Sequence, residues 1–255
     1  MGTRRPAAPP DGGAGEISAV GGAPDGGSTG VEDTLDLKLT EELLGLIAGE
    51  RNTGATHARD RSGASHELLG DPGAWPPATT AAGEFGLLPV RPERDLPVLS
   101  RWMNDPAVAA FWELAGPESV TADHLRTQLE GDGRSIPCLG VLDGTPVSYW
   151  EIYRADLDPL ARHYPARPHD TGVHLLIGGV NNRGRGVGTT LLRAVADLVL
   201  DNLPRCGRVV AEPDLRNTPS VSAFLSAGFR FSAEVDLPDK RAALMIRDRT
   251  YRAQL

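Results

Sequence analysis

The stretch LLIGGVNNRGRGVGTTLL, residues 175–192, holds an apolar run, a polar turn crowded with Gly and Arg, and a second apolar run at helical spacing. Glycines at the start of a helix let backbone N–H groups approach a phosphate closely, and the helix dipole adds partial positive charge there. Two familiar phosphate loops fail on spacing. A Walker loop needs Lys and then Ser or Thr after its last glycine, but Gly188 is followed by Thr189 and Thr190. In a dinucleotide fingerprint the third glycine would fall on Thr189 when counted from Gly184, or on Leu191 when counted from Gly186. What remains is a strand, then Arg183-Gly184-Arg185-Gly186-Val187-Gly188, then a helix. With Arg183 and Arg185 as local cations, this is a cradle for a pyrophosphate.

The chain around it has 255 residues and a net charge of −8, so an anionic ligand must be caught locally. A broad polyanion-binding surface of the kind nucleic acid needs is not expected. Residues 1–83 are rich in Gly, Pro, Ala, Ser and Thr, a composition that favours a disordered extension. Within it, Leu39, Leu43 and Leu46 share one face of a short helix expected near 39–49, with Thr40 as its N-cap. No apolar run approaches the length of a membrane span, and the early Arg4-Arg5 pair is followed by Pro and Gly rather than by an export signal. Cys138 and Cys206 lack metal-ligand spacing, so reduced thiols, no metal and a cytoplasmic location are expected.

From residue 84 to 255 the punctuation becomes regular. Strands are expected at 85–92, 136–142, 145–155, 171–179 and 208–214, helices at 93–105, 118–132, 186–203 and 220–229, and a final strand pair turning at Pro238-Asp239. Asp143-Gly144 reads as a hairpin turn. The pattern is one α/β domain built on a mixed sheet.

The spacing Arg-x-x-Gly-x-Gly resembles the acyl-CoA loop of the GNAT N-acetyltransferase superfamily, and Asn217 followed by FLSAGF at 224–229 resembles its later strand and helix. RWMNDPAVAAFW, YWEIY, GVHLLIG, EPDLRN and DLPDKRAALM together resemble the siderophore-biosynthesis branch, the aerobactin, mycobactin and desferrioxamine-type acyltransferases. The resemblance implies the GNAT fold, a mostly antiparallel central sheet flanked by helices, and N-acyl transfer from acetyl-CoA or another acyl-CoA to an amine or hydroxylamine. A possible acyl-carrier protein donor comes with it, as does a rival reading as an aminoglycoside N-acetyltransferase. It places Ile177, Arg183–Thr189 and Asn217 on the cofactor, and Trp112, Trp150, Glu151 and Tyr153 on the acceptor.

Strand alternation sharpens one residue. Val173, Leu175 and Ile177 share a face, so His174 breaks the apolar face it shares with Leu176. By resemblance His174 and Asp214 are the catalytic pair, with His174 taking a proton near neutral pH from an ordinary pKa of about 6.5. The same parity puts Glu212 beside Asp214, and Glu212 is read as a structural or orienting carboxylate. Phe224 stands where many superfamily members have Tyr, which removes one proton donor for the departing thiol. Backbone N–H groups near Ile177 and Gly178 are the expected oxyanion contact.

Overall fold

Strand β4, Thr145–Arg154, is buried from Val147 to its end, and this two-sided burial marks it as the middle of a sheet. In the computed structural model, residues 68–179 and 183–254 are described; the expected disordered extension and the helix near 39–49 lie outside them. β4 pairs antiparallel with β3, Ser135–Leu142, through a turn at Asp143 and Gly144 whose φ values of 46° and 76° are those of a tight hairpin. β3 continues to β2, Gly83–Pro89, and β2 to a short β1, Ala78–Thr80. On the other side β4 pairs with β5, Thr171–Ile177. The sheet then runs through β6, Arg208–Ala211, and β8, Arg241–Asp248, to β7, Arg230–Asp236, at its edge.

Every pairing is antiparallel except that of β5 with β6. This parallel pair is held at two positions only, Thr171 opposite Val209 and Gly172 opposite Val210, so the strands part beyond Gly172. Five α-helices flank the sheet among the described residues. Helix α1, Pro92–Met103, α2, Pro106–Trp112, and α3, Glu118–Leu129, build a cluster with Leu139, Tyr149 and Leu176. Helix α4, Val187–Asn202, covers the opposite face and buries Leu191, Val195 and Val199 against Trp150, Ile152 and Val209. Helix α5, Thr218–Ser226, brings Phe224 into the same core.

The architecture is the expected mixed, mostly antiparallel sheet with helices on both faces. Three local differences stand out. The run 106–112 forms a separate helix because Asp105 accepts the Ala107 N–H at 2.9 Å and Pro106 starts a new turn. The regular ladder of β6 ends at Ala211, since Pro213 has no N–H to continue it, and the expected strand resumes its pairing with β8 only at Asp214, bridged to Ala242. The folded part also begins before the expected boundary at residue 84. Leu69 is fully buried and Trp75 is nearly so, both within the main core, and β1 pairs with β2. None of the described helices is long and apolar enough to cross a membrane.

This placement of Trp75 gives a direct expectation. Trp75→Ala removes a large side chain from the main core and should destabilise the chain by about 3 kcal/mol, read as a fall in thermal midpoint of several degrees. An unchanged midpoint would mean that the segment before β2 adds nothing to the fold.

Candidate active site

Where β5 leaves β6, three strands deliver polar side chains to one point. Register sets Glu151 of β4 opposite His174 of β5, and Glu212 follows the end of β6. His174 Nδ1 lies 2.9 Å from Glu151 Oε2, and His174 Nε2 makes a short hydrogen bond to Glu212 Oε1. Both ring nitrogens therefore face carboxylates. A neutral imidazole has one N–H, so two such contacts are satisfied by the imidazolium. Burial opposes the charge, but the charges of Glu212 and Glu151 and their hydrogen bonds outweigh it and raise the His174 pKa to about 10. The expectation of an ordinary pKa of about 6.5 thus meets a ring whose two carboxylate partners favour the protonated form.

The carboxylates are held just as firmly. Glu151 is 6% exposed, and its Oε1 accepts from Gln128 Nε2 at 2.7 Å and Tyr149 Oη at 3.0 Å, with His124 Nε2 at 2.6 Å. Burial works against its ionised form, yet the hydrogen bonds from His124 and His174 hold it well below the usual carboxylate range. Glu212 accepts from Tyr153 Oη at 2.9 Å. Burial pushes its pKa up, but the charge and hydrogen bond of His174 and the charge of Lys240 bring it down to about 2. The Tyr153 ring crosses β5 with its centroid 4.7 Å from that of His174. That position exists because residue 172 is glycine: a Cβ there would stand 2.1 Å from the Tyr153 ring.

Trp112, at the end of α2, stands edge-on to His174 with centroids 6.3 Å apart. Trp150 does not join it. Alternation along β4 sends its ring to the other face, into the core under α4, where Nε1 donates to Ser148 Oγ at 2.8 Å. Asp214 lines the same cavity as His174 but makes no hydrogen bond to it. Asp214 stays beside β8, bridged to Ala242, and its carboxylate instead accepts the Arg216 N–H at 2.7 Å and its guanidinium at 2.6 Å. The hydrogen bond from Arg216 is the main cause that lowers its pKa. The expected His174–Asp214 pair is thus a His174–Glu212 pair. His124 and Gln128 were not anticipated; their spacing of four on one helix face was the available signal.

Two cavities meet at this point. One, about 340 Å³, is walled by His124, Glu151, His174, Glu212, Asp214 and Lys240. The other, about 760 Å³, runs along Ile177, Gly184, Gly186, Gly188 and Thr189. Trp112, Leu175, Asn217 and Ser220 line both.

The larger cleft has features that fit an acyl-CoA. Gly186, at φ 76°, precedes α4 without any side-chain cap, which leaves the first-turn N–H groups of Val187, Gly188 and Thr189 for a ligand. Arg185 is exposed beside them. Arg183 is used differently from the expectation. Its Nε donates to the Ile177 carbonyl at 3.0 Å and its Nη1 to Asp105 at 2.9 Å, so it latches the loop to β5 and to the start of α2. Asn217 caps α5, its Oδ1 accepting the Ser220 N–H at 3.2 Å, while it remains in both cavity walls. Gly178 N–H, expected as an oxyanion contact, is instead bonded to the Val147 carbonyl at 2.8 Å. Antiparallel alternation from that bond turns the N–H groups of Leu175 and Ile177 toward the gap between β5 and β6.

Residues 91–237 match the family model described as Acetyltransferase (GNAT) domain. The lysine N-acyltransferase MbtK of Mycobacterium sp. (strain MCS) is 37% identical over 175 residues, 69% of this chain and 71% of that protein. The N(6)-hydroxylysine O-acetyltransferase of Escherichia coli is 39% identical over 158 residues, 62% of this chain and 50% of that protein. Among solved structures, an uncharacterized protein of Bacillus halodurans is 32% identical, with a TM-score of 0.67 over 72% of this chain and 95% of that one. The aminoglycoside acetyltransferase AAC(6')-Ib in complex with coenzyme A shares the fold, with a TM-score of 0.60 at 24% identity, over 67% of this chain and 98% of that one.

The charge cluster makes stability depend on pH with a definite sign. His174 contributes fully below its ordinary 6.5 and loses the contribution as pH rises through about 10. Glu212 contributes above its ordinary 4.5 and loses it as pH falls toward about 2. The difference in thermal midpoint between wild type and His174→Gln should therefore be largest between pH 4.5 and 6.5 and shrink on both sides. A difference that is constant from pH 3 to 10 would contradict the ionic cluster.

Proposed function

The chain belongs to the GNAT family of acetyltransferases and is an acyltransferase, and from that premise we propose that it acylates the terminal amino or hydroxylamino nitrogen of lysine, ornithine or a related diamine in hydroxamate siderophore biosynthesis. The acyl donor is an acyl-CoA, acetyl-CoA or a longer homologue. The observation that carries this reading is His174, clamped between Glu151 and Glu212 where the acceptor cavity opens into the acyl-CoA cleft. The names of the relatives at 37% and 39% identity support a lysine-type acceptor over an aminoglycoside.

The cluster favours the hydroxylamine. A lysine ammonium has a pKa of about 10.4 and must lose a proton before it attacks, which requires a base. His174 is already protonated and the two carboxylates are poor bases, so the site offers none near neutral pH. An N-hydroxylated amine is far less basic and arrives neutral. Two carboxylates and one imidazolium leave a net single negative charge, which orients the N–H and O–H donors of such an acceptor. Its nitrogen attacks the thioester carbonyl, and the developing oxyanion meets the N–H groups of Leu175 and Ile177. As the N–C bond forms and the C–S bond breaks, the nitrogen becomes acidic. Its proton leaves through the Glu212–His174 pair and ends on the CoA thiolate, whose pKa near that of free Cys, about 8.5, makes it a tolerable leaving group without a Tyr at position 224.

Thiol release should be measured with acetyl-CoA and a long-chain acyl-CoA against N6-hydroxylysine, lysine and kanamycin. Turnover is expected to be fastest with the hydroxylamine; turnover confined to kanamycin would overturn the reading. Within the same assay, His174→Ala should lower kcat with the hydroxylamine by roughly a hundredfold, the scale of a lost proton-transfer group.

A second expectation concerns the loop. Gly186→Trp places a bulky side chain in a left-handed conformation beside the first-turn N–H groups of α4 and should weaken acetyl-CoA binding at least about tenfold by calorimetry. Arg185→Ala should weaken it by an amount that diminishes as salt is added. Unchanged affinity in both variants would remove the loop from the donor site.

A further inference from the structure

Lys240 is unusual in sequence and in place. Of the 26 Lys and Arg residues in the chain, only Lys38 and Lys240 are lysines. Lys240 follows the turn between β7 and β8 and is half-buried, with its side chain 24% exposed in the wall of the acceptor cavity. It is the one lysine or arginine lining that cavity among the described residues, against Glu151, Glu212, Asp214 and Asp239. Its Nζ stands 3.7 Å from Glu212 Oε1, beyond hydrogen-bond distance, and makes no hydrogen bond among the described residues. Glu212 Oε1 is already engaged by His174 Nε2 and Oε2 by Tyr153. The ammonium is thus held near the cluster with its donors uncommitted and facing the cavity.

Its distance from the reacting point is informative. Lys240 Nζ lies just beyond the carboxylate oxygen that binds His174. A terminal nitrogen placed against the cluster leaves the far end of a four-carbon side chain roughly 6 Å away, in the cavity that Lys240 also lines. Asp239, the preceding residue, is exposed in the same cavity wall, so a cation and an anion stand side by side at this end. That is the charge pattern of an amino-acid head group.

Resting on the acyltransferase reading above, we propose that Lys240 binds the α-carboxylate of the acceptor, with Asp239 facing its α-ammonium. The enzyme then selects amino acids with a terminal hydroxylamino group over the decarboxylated diamines of the same length. A charge-assisted hydrogen bond in a half-buried site is worth roughly ten- to a hundredfold in affinity.

The test uses the full chain with N6-hydroxylysine and N-hydroxycadaverine, which differ only in the carboxylate, in wild type and in Lys240→Met, which keeps the apolar stem. For wild type, kcat/KM should favour hydroxylysine by roughly thirtyfold. In Lys240→Met that ratio should collapse toward one, through a rise in KM for hydroxylysine with kcat held within a few-fold. Equal use of both acceptors by wild type, or an equal loss on both in Lys240→Met, overturns the role of Lys240 and leaves the acyltransferase reading standing. Turnover of neither acceptor by wild type, with any acyl-CoA, overturns both.

Discussion

Everything distinctive in this molecule depends on a short parallel pairing. β5 and β6 hold each other at two positions and then part, although most of the sheet is stitched by long antiparallel ladders. Parting leaves the inward edge of β5 without a strand beside it, and backbone groups there need a partner. The gap is closed at its base by the Thr171 and Gly172 pairings and flanked by α5 on the side of β6 and by α2 on the side of β5. Such an edge suits something extended and hydrogen-bonding, as the acyl-pantetheine arm of the proposed donor is. The loop after β5 lies at the open end because the strand ends there, and Arg183 fixes it by binding the last carbonyl of the strand it has just left.

The cluster at the apex is expensive in isolation. An imidazolium and two carboxylates removed from water lose hydration that their mutual attraction repays only when the remaining lone pairs and protons are also satisfied. Here they are. Gln128, Tyr149 and His124 serve Glu151, and Tyr153 serves Glu212. Both tyrosines stay neutral donors, because burial and the adjacent carboxylates raise their pKa values well above the ordinary 10. Such a network is set before substrate arrives and needs little rearrangement as charge develops.

How far the sequence discloses this can be judged residue by residue. Periodicity and turn chemistry place nearly every strand and helix, because a strand buried on one or both faces and an amphipathic helix leave a pattern in the apolar residues themselves. The loop is equally readable, since glycine at positive φ has few substitutes. Side-chain partners are another matter. Parity along β4 separates Trp150 from Glu151 and Tyr153, so its place in the core was legible, and the resemblance led away from it. Glu212 and Asp214 share a parity, and only the tertiary arrangement, in which Arg216 holds Asp214, tells which one meets His174. The pairing of Arg183 with Asp105 joins residues 78 apart, and no local pattern reports it. His124 reaches Glu151 across 27 residues for the same reason.

β5 ties these parts together through its geometry. Seven residues present three directions. Val173, Leu175 and Ile177 point into the core beneath α4, and His174 and Leu176 point to the opposite side, where the cluster and the helices α1 to α3 lie. The in-plane edge is left for N–H groups. With both faces occupied by packing or by charge, the edge is the one direction from which a second reactant can come within bonding distance of the backbone. In the proposed reading the donor enters along the strand while the acceptor comes over its face to His174, and the two meet at the residues between, Leu175 and its neighbours. A strand read only for its apolar face would predict packing; its single break at residue 174 and its missing neighbour give the proposed reading its place for two substrates side by side.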